Sequence, residues 1–280
     1  MRRYFAGIVG LSLVLAGCGK DDTKTSSPTT EAGNPTAGKP GKGSDTSSET
    51  TKPAGWGSVK GQVVFVGDPP KPTELKVDKD QDTCHHEGGA PLLDQKYVVN
   101  KDTKGVQYAV VWLAAAKGKL PIKPELKEVS PKTIELDQPD CQFKPHVMGL
   151  RVGQELVAKN PAKISHNTKL ECRPLGPDKN ELIAAGKELV VPAADFHAGT
   201  VVNVSCTIHG WMKGYIRVFD HPYFKVTDEK GNFEIKDAPA GTWKLIVWQE
   251  EKGWVNGKDG QEITIKPGDT TDAGKIDLKP

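Results

Sequence analysis

The stretch Ser205-Cys206-Thr207-Ile208-His209-Gly210-Trp211-Met212 sets a thiol, an imidazole and a thioether within one short loop. Cys206, His209 and Met212 follow one another at intervals of three, so all of them can face one point where a strand ends in a tight loop. A thiolate and an imidazole with a long, weak thioether are the donors of a type 1 copper electron-transfer centre, which also requires a second imidazole from elsewhere. Alone, C-x2-H is a weak signal. Cys206 reads equally as a buried structural thiol, and Met212 as filler of a core.

The elements that must position these donors are strands. Helical periodicity is nearly absent, and short β-branched or alternating runs bounded by Gly, Pro, Asn and Asp recur: Val63 to Val66, Val106 to Leu113, Ile134 to Leu136, Val201 to Val204, Tyr215 to Val218 and Leu245 to Val247. The pattern predicts an all-β protein, sandwich or barrel. Upstream of the Cys206 loop, Asn160-Pro161-Ala162-Lys163-Ile164-Ser165-His166-Asn167 is a turn-rich segment following the strand-like Glu155 to Lys159. His166 reaches Cys206 only if the intervening chain runs out and back, as strands of a Greek-key sandwich do.

On these residues the segment from Lys132 to Asp220 resembles a cupredoxin of the plastocyanin and amicyanin type. Phe143-Lys144-Pro145 and Leu150-Arg151-Val152-Gly153-Gln154 resemble its opening strands, His166-Asn167 the first ligand and its neighbour, and Cys206, His209 and Met212-Lys213-Gly214 the ligand loop in its short, amicyanin-like form. The resemblance implies one type 1 copper, with His166, Cys206 and His209 as equatorial ligands and Met212 as the weak axial one. It also implies that Asn167 bonds across to the Cys206 loop and keeps His166 aimed. A rigid β scaffold holding such donors leaves little to rearrange when an electron moves. A binuclear copper centre needs two Cys in this loop, and only Cys206 is there; a multicopper oxidase needs several His-x-His pairs, and there are none.

At the N-terminus, Arg2 and Arg3 precede an apolar run from Tyr4 to Leu15, too short to span a bilayer and suited to a secretory signal. Leu15-Ala16-Gly17-Cys18 looks like a bacterial lipobox, which implies cleavage before Cys18, its lipidation, and a lipid-anchored, extracytoplasmic protein, at the outer membrane facing the periplasm or at the cell surface. Residues 19–55 are Ser, Thr, Pro, Gly, Lys and Asp with almost nothing to bury, and read as a disordered tether with a coil span of roughly 35 Å. Three further cysteines, Cys84, Cys141 and Cys172, then lie in an oxidising compartment. One disulfide and one leftover thiol is the simplest arithmetic; a Cys84–Cys141 pair is favoured, although sequence does not fix connectivity. A second metal site at Cys84-His85-His86, or at Cys141 with His146, stays open. His197 and His221, in polar or turn contexts, are expected at the surface.

The flanks carry another signature. From His221 to Leu245 the order strand, Asp-x-x-Gly turn, strand, Pro-x-Gly turn, strand is that of a compact meander. It resembles the carboxypeptidase regulatory-like, transthyretin-like sandwich, whose opening strands would be Val59 to Val66 and Val106 to Leu113. The expected organisation is therefore a signal peptide over 1–18, a tether over 19–55, a cupredoxin domain over 131–220, and a second small β-sandwich assembled from 56–130 and 221–280. That sandwich carries no catalytic constellation, so support or docking is its expected role.

The 38 basic and 36 acidic residues of the 280 interleave to a net charge of +2, with no basic block, which sets nucleic acid aside as a partner. The function expected is electron carriage rather than catalysis: a membrane-tethered copper protein passing single electrons between redox partners such as c-type cytochromes or oxidoreductases. Copper storage or delivery is the competing reading, although the Met- or His-rich tracts it favours are missing. A non-redox, envelope-binding β module is another.

Overall fold

A computed structural model describes residues 53–280; the expected signal peptide, Cys18 and nearly all of the 19–55 tether lie outside the described residues. The described chain is all-β, with helical turns limited to short 3-10 pieces. The strands are β1 (Trp56–Phe65), β2 (Val110–Ala114), β3 (Thr133–Leu136), β4 (Val147–Arg151), β5 (Glu155–Asn160), β6 (His166–Glu171), β7 (Lys179–Ile183) and β8 (Lys187–Val191). They continue with β9 (Val201–Ser205), β10 (Lys213–Phe219), β11 (Phe224–Val226), β12 (Asn232–Pro239), β13 (Gly241–Gln249), β14 (Gly253–Trp254), β15 (Gln261–Ile265) and β16 (Thr270–Leu278). Among the described residues no helix is long and apolar enough to cross a membrane.

Strands from the two flanks pair with one another. β1 lies between β12 and β16, with Gly61 opposite Phe233 and Val63 opposite Ile276. β2 lies between β11 and β13, with Leu113 opposite Leu245, and β13 also carries β14 and β15. Val59, Val63, Val111, Leu113, Tyr223, Phe233, Leu245 and Ile276 fill one buried core with members from both sheets. The crossing of the flanks is tight: a Cβ on Gly105 would collide with the Lys230 carbonyl, so only glycine fits there.

The intervening chain forms two further sheets, β3-β5-β8 and β4-β10-β9-β6-β7. Period-2 alternation decides which side chains turn inward. In β6 His166, Thr168 and Leu170 are buried while Asn167, Lys169 and Glu171 are not, and in β9 Val202 and Val204 point inward, with Cys206 next on the same parity. The core behind them contains Phe143, Leu150, Leu156, Phe196, Val202, Met212 and Ile216, joined by Cys84, Leu92 and the half-buried Leu75 and Val77 from residues upstream of 131.

Between the two sandwiches, Val110, Trp112, Val147, Phe219, Ile246 and Trp248 make a third cluster. Arg217 of β10 reaches into it: its guanidinium lies 4.2 Å from the ring centre of Trp112 and 4.9 Å from that of Trp254, and burial lowers its pKa to about 10. The indole faces attract the cation that burial would otherwise penalise, which ties β10 to β2 and β14.

Three expectations need correction. The strand expected over Val106 to Leu113 begins only at Val110, because Tyr108 has a left-handed φ of 68°. The Thr227 hydroxyl takes over there, accepting from the Ala109 N–H at 2.9 Å and donating to the Val106 carbonyl at 2.7 Å. Phe143-Lys144-Pro145 is not a strand; Lys144 makes an isolated bridge to Asp137, and β4 starts at Val147, ending at Arg151 where Gly153 turns the chain with φ 97°. His221 is half-buried rather than exposed: its ring stacks on Tyr223 and lies 5.7 Å from that of Phe219, and burial lowers its pKa to about 4. His197 is exposed.

Candidate metal centre

β6 and β9 are neighbours in the sheet, with Lys169 opposite Ser205 and Leu170 opposite Val204. Continuing that antiparallel register brings the start of β6 toward the residues following β9. β9 and β10 form a hairpin with Ser205 opposite Lys213, so the chain from Cys206 to Met212 is its closing loop. The loop is held by its own main chain: the Cys206 N–H donates to the Met212 carbonyl at 3.3 Å and the Met212 N–H to the His209 carbonyl at 2.9 Å.

The approach to His166 is set by Asn160. Its buried amide donates to the Ile164 carbonyl at 2.8 Å and the Ile183 carbonyl at 2.9 Å, and its oxygen accepts the Ala162 N–H at 3.2 Å. A buried amide with its hydrogen bonds made shapes a loop that has no ladder of its own. In the sequence this role shows only as an Asn-Pro turn.

His166, Cys206 and His209 are all fully buried or nearly so, and their donor atoms lie within 4.8 Å of one another. Nδ1 of His166 is 3.0 Å from Nδ1 of His209, and Cys206 Sγ is 3.8 Å from the latter. The 3.0 and 3.8 Å spacings about His209 Nδ1 suit an ion bound at roughly 2.0–2.3 Å by imidazole and thiolate. Burial, and secondarily the His209 imidazole, pull the His166 pKa down to about 4. The ring is therefore neutral at pH 7, the form that ligates a metal. Nε2 of His166 is buried without a hydrogen-bond partner.

Asn167 sits beside this group. Its backbone N–H donates to Cys206 Sγ at 3.3 Å, and its side-chain oxygen accepts from the Thr207 hydroxyl at 2.8 Å. The second bond joins the start of β6 to the Cys206–Met212 loop. Met212 is 1 % exposed and belongs to the core beneath the loop; its main chain is tied to both Cys206 and His209.

The remaining candidates separate from this cluster. Cys84 and Cys141 form a disulfide, so neither offers a thiolate and the two cysteine-based second metal sites fall away. Each nitrogen of His85 lies against a backbone carbonyl, of His86 and Asp82, while His86 pairs with Asp140 at 2.7 Å. His146 is buried against Glu250. Cys172 is a buried free thiol whose pKa burial raises to about 11, which leaves it protonated and unreactive. One contact of the cluster was missed in the sequence: Asp80, more than a hundred residues upstream, lies 2.8 Å from His209 Nε2.

No family model and no curated protein matches the chain. Among solved structures, a purple cupredoxin from Nitrosopumilus maritimus is similar at 18 % identity over 30 % of this chain and 97 % of that one, with a TM-score of 0.26. A single-site mutant of amicyanin in its oxidised state is 20 % identical over 32 % of this chain and 86 % of its own, with a TM-score of 0.28. A copper-containing nitrite reductase from Thermus scotoductus SA-01 is 20 % identical over 36 % of this chain and 27 % of its own, with a TM-score of 0.30.

Proposed function

We propose that the protein is a type 1 copper electron carrier, tethered to a bacterial membrane outside the cytoplasm by a lipid on Cys18. The observation that carries the reading is the buried convergence of two imidazole nitrogens and one thiol sulfur on one point. His166, Cys206 and His209 would hold the ion, and Met212 of the same loop would be the further soft donor. This donor set, soft and mixed N/S, fits copper better than the all-oxygen sites of hard cations. When bound, the copper supplies a one-electron couple.

The chain's own groups do the rest. The Asn167 N–H donates to Cys206 Sγ, the Asn167–Thr207 bond ties the loop to β6, and the strand and the hairpin loop would hold the three donors in place. The flanking strands, read as a carboxypeptidase regulatory-like sandwich, serve as support. The expected partners are redox proteins such as c-type cytochromes. Storage or delivery is disfavoured because full burial of His166 and His209 hinders hand-over of an ion.

Adding Cu(II) to the protein is expected to give an intense visible thiolate-to-copper band that Cys206→Ser abolishes. If wild type gives no band, or the Ser variant keeps it, the reading is wrong. Stopped-flow reduction by a c-type cytochrome then separates carrier from store, since a store need not exchange electrons rapidly.

A further inference from the structure

The loop from Glu74 to Leu93 precedes the segment that supplies the donors, yet it packs against them. Its base is closed by a Glu74–Leu93 bridge and by the Leu75 N–H donating to the Leu92 carbonyl at 2.8 Å. It is stapled to the donor-bearing sandwich by the Cys84–Cys141 disulfide and by the His86–Asp140 pair, while the Trp211 indole of the ligand loop donates to the Cys141 carbonyl at 3.1 Å. At its tip Asp80 has a left-handed φ of 49°, and its carbonyl accepts the N–H groups of Thr83 and Cys84, both at 2.9 Å. Next to it, Lys79 Nζ donates to the Ile208 carbonyl at 3.2 Å.

A non-glycine residue at positive φ is uncommon, and Asp is among the types that tolerate it. Here the conformation accompanies a carboxylate set 2.8 Å from His209 Nε2. An ionised carboxylate only accepts hydrogen bonds, so Nε2 must carry the hydrogen. In a neutral imidazole the lone pair is then on Nδ1, the atom that faces His166 Nδ1 and Cys206 Sγ. The His209 side chain, 0 % exposed, has its outer nitrogen covered in this way rather than left to water.

We propose that Asp80 is a positioning residue of the metal centre, holding His209 through Nε2–H so that Nδ1 is presented to the ion, and that the stapled loop 74–93 is the built-in cover of that centre. The proposal rests on the metal reading above. A carboxylate behind a ligating imidazole fixes the tautomer, orients the ring and raises its basicity.

The test uses the full chain as wild type, Asp80→Asn and Asp80→Ala. In the metal-free protein, long-range 15N–1H correlations of the His209 ring are expected to show hydrogen on Nε2 in wild type and in the Asn variant, whose amide oxygen accepts the same hydrogen. The Ala variant is expected to show a mixture of tautomers. Competition against a chelator should then show Cu(II) affinity falling about 10–100-fold in the Ala variant and less in the Asn variant. Hydrogen on Nδ1 in wild type, or an Ala variant with unchanged tautomer and affinity, overturns the proposal. If wild type binds no copper, the metal reading fails by itself, and the tautomer measurement still decides whether Asp80 orients His209. If the Ala variant does not fold, the wild-type tautomer still decides: hydrogen on Nε2 supports the proposal and hydrogen on Nδ1 overturns it.

Discussion

Two imidazole–carboxylate pairs, each with a buried ring, flank the Cys206–Met212 loop, and they differ in what each ring has left to offer. His146 is 5 % exposed and Glu250 3 %; His146 Nε2 meets Glu250 at 2.5 Å and Nδ1 meets the Lys213 carbonyl at 3.0 Å, so both ring nitrogens are occupied. His209 is equally buried, but its partner Asp80 is 44 % exposed, and its Nδ1 faces other donors instead of a backbone acceptor. The first pair is a staple between the donor-bearing sandwich and β13's following turn. The second leaves Nδ1 facing His166 Nδ1 and Cys206 Sγ. A histidine bound to a carboxylate is thus structural or functional according to the partner of its second nitrogen.

A large expected effect separates the two pairs by stability. Glu250→Ala leaves a nitrogen of the buried His146 ring without its hydrogen-bond partner and should cost up to about 3 kcal/mol in urea unfolding of the metal-free protein. Asp80→Ala removes a carboxylate that water already screens and should cost less than about 1 kcal/mol. Equal costs would erase the distinction drawn here. Next, replacing Cys84 and Cys141 together by Ser opens a link across 57 residues and should cost about 2–4 kcal/mol in the same measurement. Because the link anchors the loop carrying Asp80, Cu(II) affinity should fall with it. If stability drops while affinity holds, the cover does not depend on its staple.

A smaller effect concerns a histidine with no carboxylate partner. Burial holds the pKa of His221 at about 4, well below the ordinary value near 6.5. The folded state favours the neutral ring, so the stability it contributes is complete above roughly pH 6.5 and is lost as pH falls from there toward 4. His221→Phe should therefore flatten the fall of unfolding free energy between pH 6.5 and 4 by up to about 1.4 kcal/mol per pH unit. Parallel slopes for variant and wild type would mean that His221 does not titrate on unfolding in this window.

Much of the donor group was legible because it depends on short-range rules. C-x2-H-x2-M is a spacing within one loop, and the parity of β6 and β9 puts His166 and Cys206 on the inner face wherever those strands lie. The all-β class followed from the same alternation. Other features were hidden by competing interactions. A side-chain hydroxyl from Thr227 and the left-handed Tyr108 shortened a convincing β-branched run, and aromatic neighbours half-buried His221, whose polar context marks it as exposed.

Asp80 is the clearest case. In Lys76-Val77-Asp78-Lys79-Asp80-Gln81-Asp82 it reads as one of several solvated charges, with no periodicity to single it out. By itself the sequence determined which residue types are available for the site, the inward parity of the strands that carry them, and the closeness of Cys206, His209 and Met212 along the chain. Only the tertiary structure decided that a loop more than a hundred residues upstream lies over His209, because that contact depends on the folding of a distant segment, a disulfide and one residue at positive φ, none of which leaves a local pattern.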